Sequence, residues 1–518
     1  MDETMTDLGV DAPKSKRFDL IGLANRRLSS LGCVIGWIVS TICFFGVSFA
    51  LGGPSEGDAT ESAYSTWAIE HGRFACTYFH LTGATFAHPL RPDALMAPLY
   101  PLVAGAFAAL FRIGSHTPFP TIAQMGPHCV NAVAAMSHWQ YNSAAIMPTI
   151  NLSYLVWPVL LTAIIVLVRA SGQGHTGWEV VAGLTAGCSP LIFDSFVGFF
   201  HPEDILALSL IMLGLAATLN RRWLLAGVWL GLAFTSQQFA LLAALPLIFV
   251  IPRHARVKYC AWFVVAVAVV DLPLVVATAG RGLRVVLLGS SRVGSQIRSF
   301  GGTVLWELNL HGVLLFCVAR VAPIVAASVL AWWCARRLGP AILEPVSLLS
   351  LIGTCLAVRM VFEVNLYGYY FMATGVMLVM LDVAMGRIRG QTFAWLGLTT
   401  IAFNPVHDGF YSNLTAWSAT LHRAVPIALI AVGVLAIVID VAHRRFQFYK
   451  WLWLVVVTLT VSPRLFGGLE VFINTPNWAW QVILSPTALL LLAGPVMSSI
   501  RTSDQRLIPS ASLQANPQ

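Results

Sequence analysis

Charge is what this chain has least of. Asp, Glu, Lys and Arg together make up 10% of its 518 residues, where a water-soluble domain carries about 25%. That shortage excludes an ordinary soluble enzyme and a disordered chain alike. Lysine is nearly missing, with 4 against 27 arginines. The formal charge of +8 is explained mostly by basic clusters at span ends, and no nucleic-acid partner is expected. Other absences narrow the field further. The short alternating strands of an outer-membrane barrel are missing. No polar stretch between the apolar runs is long enough for a soluble domain of ordinary size. No P-loop or GxGxxG stands in a strand-to-helix context, so a nucleotide is not the expected substrate. No HxH, HExxH or CxxC spacing occurs among the 13 histidines and 9 cysteines, and no metal ligand set is expected. The first 30 residues are polar and basic and carry no cleavable signal pattern.

What the chain does have is apolar length. It is 57% hydrophobic, with a mean hydropathy of +0.75. A backbone that crosses a bilayer must satisfy its own hydrogen bonds, so the spans are helices. The expected fold is an all-α polytopic membrane protein with about 14 transmembrane helices. The first is expected near 31–51, then 148–168, 177–193, 204–219, 223–236, 238–251, 259–278, 311–333, 341–358, 369–386, 392–406, 422–442, 451–467 and 480–498. Residues 1–30 form an N-terminal tail, 31–498 one multispan domain, and 499–518 a C-terminal tail.

Basic clusters set the orientation, because Arg and Lys gather at cytoplasmic span ends. They recur at Lys14, Lys16 and Arg17, at Arg221 and Arg222, at Arg253, Arg256 and Lys258, at Arg336 and Arg337, at Arg387 and Arg389, at Arg444 and Arg445, and at Arg501 and Arg506. All are assigned to the cytoplasm, which requires an even number of crossings between clusters and places both termini inside. Parity decides one segment. Residues 95–112 are apolar enough to cross, but a crossing there would move every later cluster to the other side. They are read as a juxtamembrane helix within a long first outer loop, 52–147.

Four outer regions carry the polar residues. In the first loop, Asp58 and Glu61 share a helix face that Tyr64 continues, with Trp67 beyond. A carboxylate at a membrane surface is suited to act as a base toward a hydroxyl; a solvated helix with inert acids is the alternative. Cys76 and Cys129 lie in the same loop, and an oxidising compartment would permit a disulfide between them. A second loop brings Arg281, Arg284, Arg292 and Arg298 to the side where basic residues are scarce. Bidentate phosphate binding would explain them, as would contact with anionic headgroups. The third region is the turn HPED, with His201, Glu203 and Asp204. Its acids suit a helix N-terminus, and its histidine is placed to reach an acid or a phosphate. The fourth is RMVFEVNLYGYY, carrying Arg359, Glu363, Asn365, Tyr367, Tyr369 and Tyr370. Arg359 and Glu363 stand i, i+4 and are spaced to pair. Asp271 and Arg320 fall inside expected spans, where pairing with each other is the plain expectation.

The order of these parts carries a resemblance. A first span is followed by E-x-x-Y-x-x-W-A…G (Glu61, Tyr64, Trp67, Ala68, Gly72), then APLYPL (Ala97–Leu102), the HPED turn, and RRWLLAGVWLGLAFTSQQFALL (Arg221–Leu242). This resembles the glycosyltransferase-C superfamily, and within it the actinobacterial transferases that use polyprenyl-phosphate mannose or arabinose. The resemblance covers roughly the first half of the chain. It implies a multi-pass protein of a bacterial plasma membrane that moves a sugar from a polyprenyl-phosphate donor to a hydroxyl of a glycan or glycolipid. It also implies a base in the first outer loop, which here falls to Glu61 or Asp58. Many relatives place that acid about four residues before the tyrosine; Glu61 stands three before Tyr64 and Asp58 six before, which leaves the choice open. Arg281, Arg284, Arg292, Arg298, Arg359 and His201 would hold the lipid phosphate. Tyr64, Trp67, Glu203, Asp204, Glu363, Asn365 and Tyr369 would meet the sugar or the acceptor. No cofactor is implied, and participation of a divalent cation is left open. The competing expectation is a multispan transporter or lipid flippase.

Overall fold

The structure is a computed structural model. It describes residues 34–39, 41–42, isolated positions within 66–72, 98–111, 152–277 (less 175, 194 and 197–199), 303–363 (less 309, 311–313 and 316), 366–402, 416–442 and 477–507. The described residues are helical, with turns between and no strand. In chain order the helices are α1 (Leu99–Phe111), α2 (Val156–Ala170), α3 (Thr176–Ala182), α4 (Pro202–Leu219), α5 (Trp223–Ser236), α6 (Leu241–Val250) and α7 (Arg253–Ala277). They continue as α8 (Ala322–Leu338), α9 (Pro345–Phe362), α10 (Met372–Ala384), α11 (Gly390–Ala402), α12 (Ala416–Ala442) and α13 (Asn477–Leu507).

Five helices among the described residues are long and apolar enough to cross a membrane: Pro202–Leu219, Arg253–Ala277, Cys317–Leu343, Pro345–Phe362 and Trp478–Ser503. Shorter apolar helices stand among them. Their surfaces fit an apolar surrounding. α4 is buried nearly all round, whereas α7 turns Val265, Val269, Leu272 and Val276 outward. Apolar residues exposed in a row are what lipid, not water, accepts.

The helix starts and stops follow local chemistry. Pro202 opens α4 where its missing N–H costs nothing, and Glu203 and Asp204 occupy the first turn, where the dipole favours them. Arg256 donates to the carbonyls of Ile251 (3.0 Å) and Phe249 (3.1 Å), covering orphan acceptors at the end of α6. Gly339, at φ +53, ends α8 after Arg336 and Arg337. The segment expected as one span over 177–193 is interrupted: α3 passes into a π-turn at Gly183–Gly187, and a new turn starts at Pro190–Phe193. Glycine and proline there break the ladder despite an apolar composition. At the other extreme, α13 runs to Leu507, past the expected end at 498.

Close packing depends on small residues. α5 packs on α7, where a Cβ on Gly227 would lie 2.4 Å from the Tyr259 carbonyl oxygen and one on Gly231 would lie 2.6 Å from that of Phe263. Spacing of four puts both glycines on one face, so the two backbones approach along two turns. α9 packs on α13, and here a proline is repaired by its neighbours. Pro495 supplies no N–H to the Leu491 carbonyl, which instead accepts from Arg389 Nη1 at 2.9 Å. One position on, the Ser350 hydroxyl from α9 enters the opened ladder: it donates to the Leu492 carbonyl and accepts from the Val496 N–H.

Arg389 also donates from Nε to Asp382 Oδ1 at 2.5 Å, while Thr392 donates to Asp382 Oδ2 at 2.6 Å. This pinned carboxylate ties the turn between α10 and α11 to α13. It belongs to a basic end of the helices. Arg169, Arg221, Arg222, Arg253, Arg256, Lys258, Arg336, Arg337, Arg387 and Arg501 lie at, or just beyond, the corresponding ends of α2, α4, α6, α8, α10 and α13.

Candidate functional site

The opposite ends of those helices hold the polar cluster. It assembles from the start of α4, the end of α5, the turn leading into α8, the end of α9 and the turn into α10. His201 is the N-cap residue of α4. The chain reaches it through Phe200, a buried residue held at φ +54, a conformation that a bulky side chain rarely adopts. The His201 N–H donates to the Ser195 carbonyl at 2.7 Å, and the Asp204 N–H donates to the His201 carbonyl at 3.1 Å. Phe200 sits beside Phe196, whose ring lies 4.8 Å from that of Tyr154. The strained turn is thereby packed into place.

This geometry sets His201 Nδ1 2.7 Å from Glu203 Oε1. Glu203 is fully buried, and its other oxygen, Oε2, has no hydrogen-bond partner. Asp204 is also buried, with Oδ1 likewise unpartnered. Around Asp204 stand Glu203, His201, Arg359 and the side chain of Gln237. The Ser236 hydroxyl donates to the Glu203 carbonyl at 2.8 Å, tying the end of α5 to the start of α4. The expectation that these acids serve a helix N-terminus matches their position, and their burial and open oxygens add a demand for partners.

Arg359 comes from the last turn of α9. Its Nε donates to Glu363 Oε2 at 2.6 Å, the i, i+4 pair for which the sequence is spaced. Its guanidinium lies 4.7 Å from the centre of the Tyr370 ring and 5.5 Å from that of Phe239, an arrangement that stabilises a cation. Glu363 Oε1 faces Arg320 Nη1 at 3.6 Å. Arg320 therefore pairs with Glu363, not with Asp271 as expected from the two spans. The Asp271 carboxylate is buried within α7, and both of its oxygens lack a hydrogen-bond partner.

Tyrosines line the cluster. The His201 ring stacks on Tyr369 with centres 4.5 Å apart, and Tyr367 stacks on Tyr369 at 5.7 Å with planes only 9° apart. Tyr370 leans on Tyr369 at 4.5 Å. Gln481 of α13 supports the assembly from behind. Its Nε2 donates to the carbonyls of Met360 (2.8 Å) and Glu363 (3.2 Å), while its Oε1 accepts from the Val304 N–H at 2.9 Å.

Eight of the residues singled out in the sequence thus come together: His201, Glu203, Asp204, Arg359, Glu363, Tyr367, Tyr369 and Tyr370. Glu61, Asp58, Tyr64, Trp67, Cys76, Cys129, Arg281, Arg284, Arg292, Arg298 and Asn365 lie outside the described residues. Arg320, Gln237 and Gln481 join the cluster without having been assigned to it. Each is a polar residue at an end of an apolar helix, which is the one local signal they carry. No group of three or more His, Cys, Asp or Glu placed to hold a metal ion occurs among the described residues.

Chemically, the cluster offers carboxylate oxygens with unused accepting capacity, two guanidiniums, an imidazole held against Glu203, and flat aromatic rings. Such a set can accept hydrogen bonds from hydroxyl or N–H donors and can place a cation beside an acidic group. Compared with known proteins, the sequence matches no family model and finds no match among curated proteins.

Proposed function

We propose that this chain is a membrane glycosyltransferase that moves a sugar from a polyprenyl-phosphate donor to a hydroxyl of a glycan or glycolipid. The observation that carries the reading is the gathering of Glu203, Asp204, Glu363, Arg320, Arg359 and His201 at the helix ends opposite the basic clusters. By the positive-inside bias the basic ends face the cytoplasm, which puts the polar cluster at the outer surface of a bacterial plasma membrane, with both termini inside. About 14 spans complete this reading; they include the first span and the segment 451–467.

In this account the donor's prenyl chain lies between helices in the lipid, and its phosphate sits at the outer end, near Arg359, with the loop arginines Arg281, Arg284, Arg292 and Arg298 available from 279–310. A carboxylate of the first loop, Glu61 or Asp58, takes the acceptor's hydroxyl proton as its oxygen attacks the anomeric carbon. Cations stabilise the phosphate that leaves. One displacement inverts the anomeric configuration, and retention in the NMR spectrum of the product would refute that step.

A specific observation favours a second reading, a transporter or lipid flippase. The unpartnered Asp271 carboxylate within α7 is a group that proton-coupled transport would use. Two assays separate the readings. Release of polyprenyl phosphate from lipid-linked sugars by purified protein supports transfer. Substrate uptake into proteoliposomes without such release supports transport.

A further inference from the structure

Gln481, near the start of α13, reaches both sides of the ion cluster at once. It is 2% exposed. Its Nε2 stands within hydrogen-bond distance of three carbonyls, those of Met360 (2.8 Å), Val361 (3.2 Å) and Glu363 (3.2 Å). Its Oε1 accepts from the Val304 N–H at 2.9 Å. These partners fix which way the amide points, because the reverse would turn its oxygen toward three carbonyls and its NH2 toward an N–H. They lie 118 to 177 residues away along the chain.

The two ends of this amide serve the two sides of one carboxylate. The Nε2 end covers the last carbonyls of α9, which have no partner within the helix. Arg359 and Glu363 project from that same turn. The Oε1 end holds the short helix Val304–Glu307. Leu305, next to Val304, packs with Leu315 and with Ala319, the neighbour of Arg320. Glu363 divides in the same way: Oε2 takes Arg359 Nε at 2.6 Å, and Oε1 faces Arg320 Nη1 at 3.6 Å. Apolar surroundings offer no water to replace a lost partner at such a helix end.

We propose that Gln481 is the positioning residue of this cluster. Its amide sets the spacing between the end of α9 and the turn that carries Arg320, and thereby how both guanidiniums sit on Glu363. It touches no substrate. Its part in turnover rests on the transferase reading above and adds to it the residue that keeps the cations in register. A residue needed only for helix packing would behave differently, and Ser350 provides the comparison. Its hydroxyl donates to the Leu492 carbonyl and accepts from the Val496 N–H, joining the same two helices well back along α9 from Arg359.

The test uses the full chain in detergent, with arginine labelled at its side-chain nitrogens. The Arg359 Nε–H signal is assigned by its loss in Arg359→Lys. Gln481→Met, similar in length but apolar, should move that signal and speed its exchange with water. Ser350→Ala should leave both as in wild type. Release of polyprenyl phosphate from polyprenyl-phosphate mannose and arabinose gives a second readout. There kcat should fall about 100-fold in Gln481→Met, the scale of a misplaced reacting geometry, while KM changes less. In a Glu363→Gln background the same change should cost under about 2-fold more, because effects routed through one group do not add. If Gln481→Met fails to fold, Gln481→Asn carries the test, with the amide kept on a side chain one methylene shorter. A folded variant that leaves the Arg359 signal unmoved, or a Ser350→Ala that moves it equally, overturns the proposal. Losses that add in the double variant overturn the route through Glu363. Wild-type protein that releases nothing from either probe overturns the transferase reading, and the Arg359 signal then still decides the positioning role.

Discussion

Oε1 of Glu203 lies 2.7 Å from Nδ1 of His201, two residues away across the start of α4, and Glu203 has no solvent exposure. A proline at 202 and a left-handed Phe200 produce this contact together. The proline starts the helix at a fixed place, and the strained residue turns the histidine back over the first turn. Phe200→Gly should relieve the positive-φ strain, since glycine takes that conformation freely, but it also empties a fully buried ring site beside Phe196, a loss of about 3–5 kcal/mol. We expect the melting temperature to fall together with transfer, measured side by side in the same detergent; an unchanged melting temperature would contradict the packing role of the ring.

The two arginines on Glu363 differ in what they contribute. Arg359 is 18% exposed and at 2.6 Å; Arg320 is 34% exposed and at 3.6 Å. Removing one partner of a buried pair costs about 3–5 kcal/mol, whereas an exposed pair contributes about 0–1 kcal/mol. Arg359→Ala should lower unfolding stability by about 3 kcal/mol, and Arg320→Ala by under about 1 kcal/mol. Equal losses in denaturant unfolding would contradict this ranking.

At the other end, Asp382 is saturated with partners and has no oxygen to offer a substrate. Asp382→Ala strands Arg389 and should cost about 3 kcal/mol of stability. The protein that remains folded should keep its wild-type KM for donor, as read from initial rates.

Gly227 and Gly494 make a matched pair. A Cβ at Gly227 meets the Tyr259 carbonyl oxygen at 2.4 Å, and one at Gly494 meets nothing within 4 Å. Gly227→Ala should push α5 from α7 and lower the melting temperature. Gly494→Ala should lower it less than Gly227→Ala does: the new Cβ meets no neighbouring helix, and the gain in helix propensity offsets the clash of that Cβ with the following Pro495 ring.

Much of this architecture is legible in the sequence, for a plain reason. The span expected at 223–236 is the helix Trp223–Ser236, bounded by arginines before and glutamines after. A polar boundary beside an apolar run marks an end wherever it occurs. The interrupted segment after α3 is harder to read, because Gly183, Gly187 and Pro190 sit in a stretch whose hydropathy alone looks continuous. In the site, the Arg359–Glu363 pair is local and follows from i, i+4 spacing. Arg320 and Gln481 reach the same carboxylate and its carbonyl from distant parts of the chain. Long-range contacts of that kind depend on how helices cross, which no short motif encodes.

Orientation is open to direct labelling. Leu308 is exposed near the polar end, and Arg337 closes α8 at the basic end. In intact cells a membrane-impermeant maleimide should label Leu308→Cys above the parent protein and leave Arg337→Cys unlabelled until the membrane is opened. The reverse pattern would invert the topology.

The central claim is that the polar end of these helices performs sugar transfer from a lipid phosphate. Its most direct measurement is release of polyprenyl phosphate from polyprenyl-phosphate sugars by the purified protein, with Glu61→Gln, Asp58→Asn and Asp204→Asn in parallel. The account predicts turnover by the wild type, lost in one of the first-loop variants while that variant stays folded. Absence of release across mannose and arabinose donors with glycan and glycolipid acceptors would contradict it.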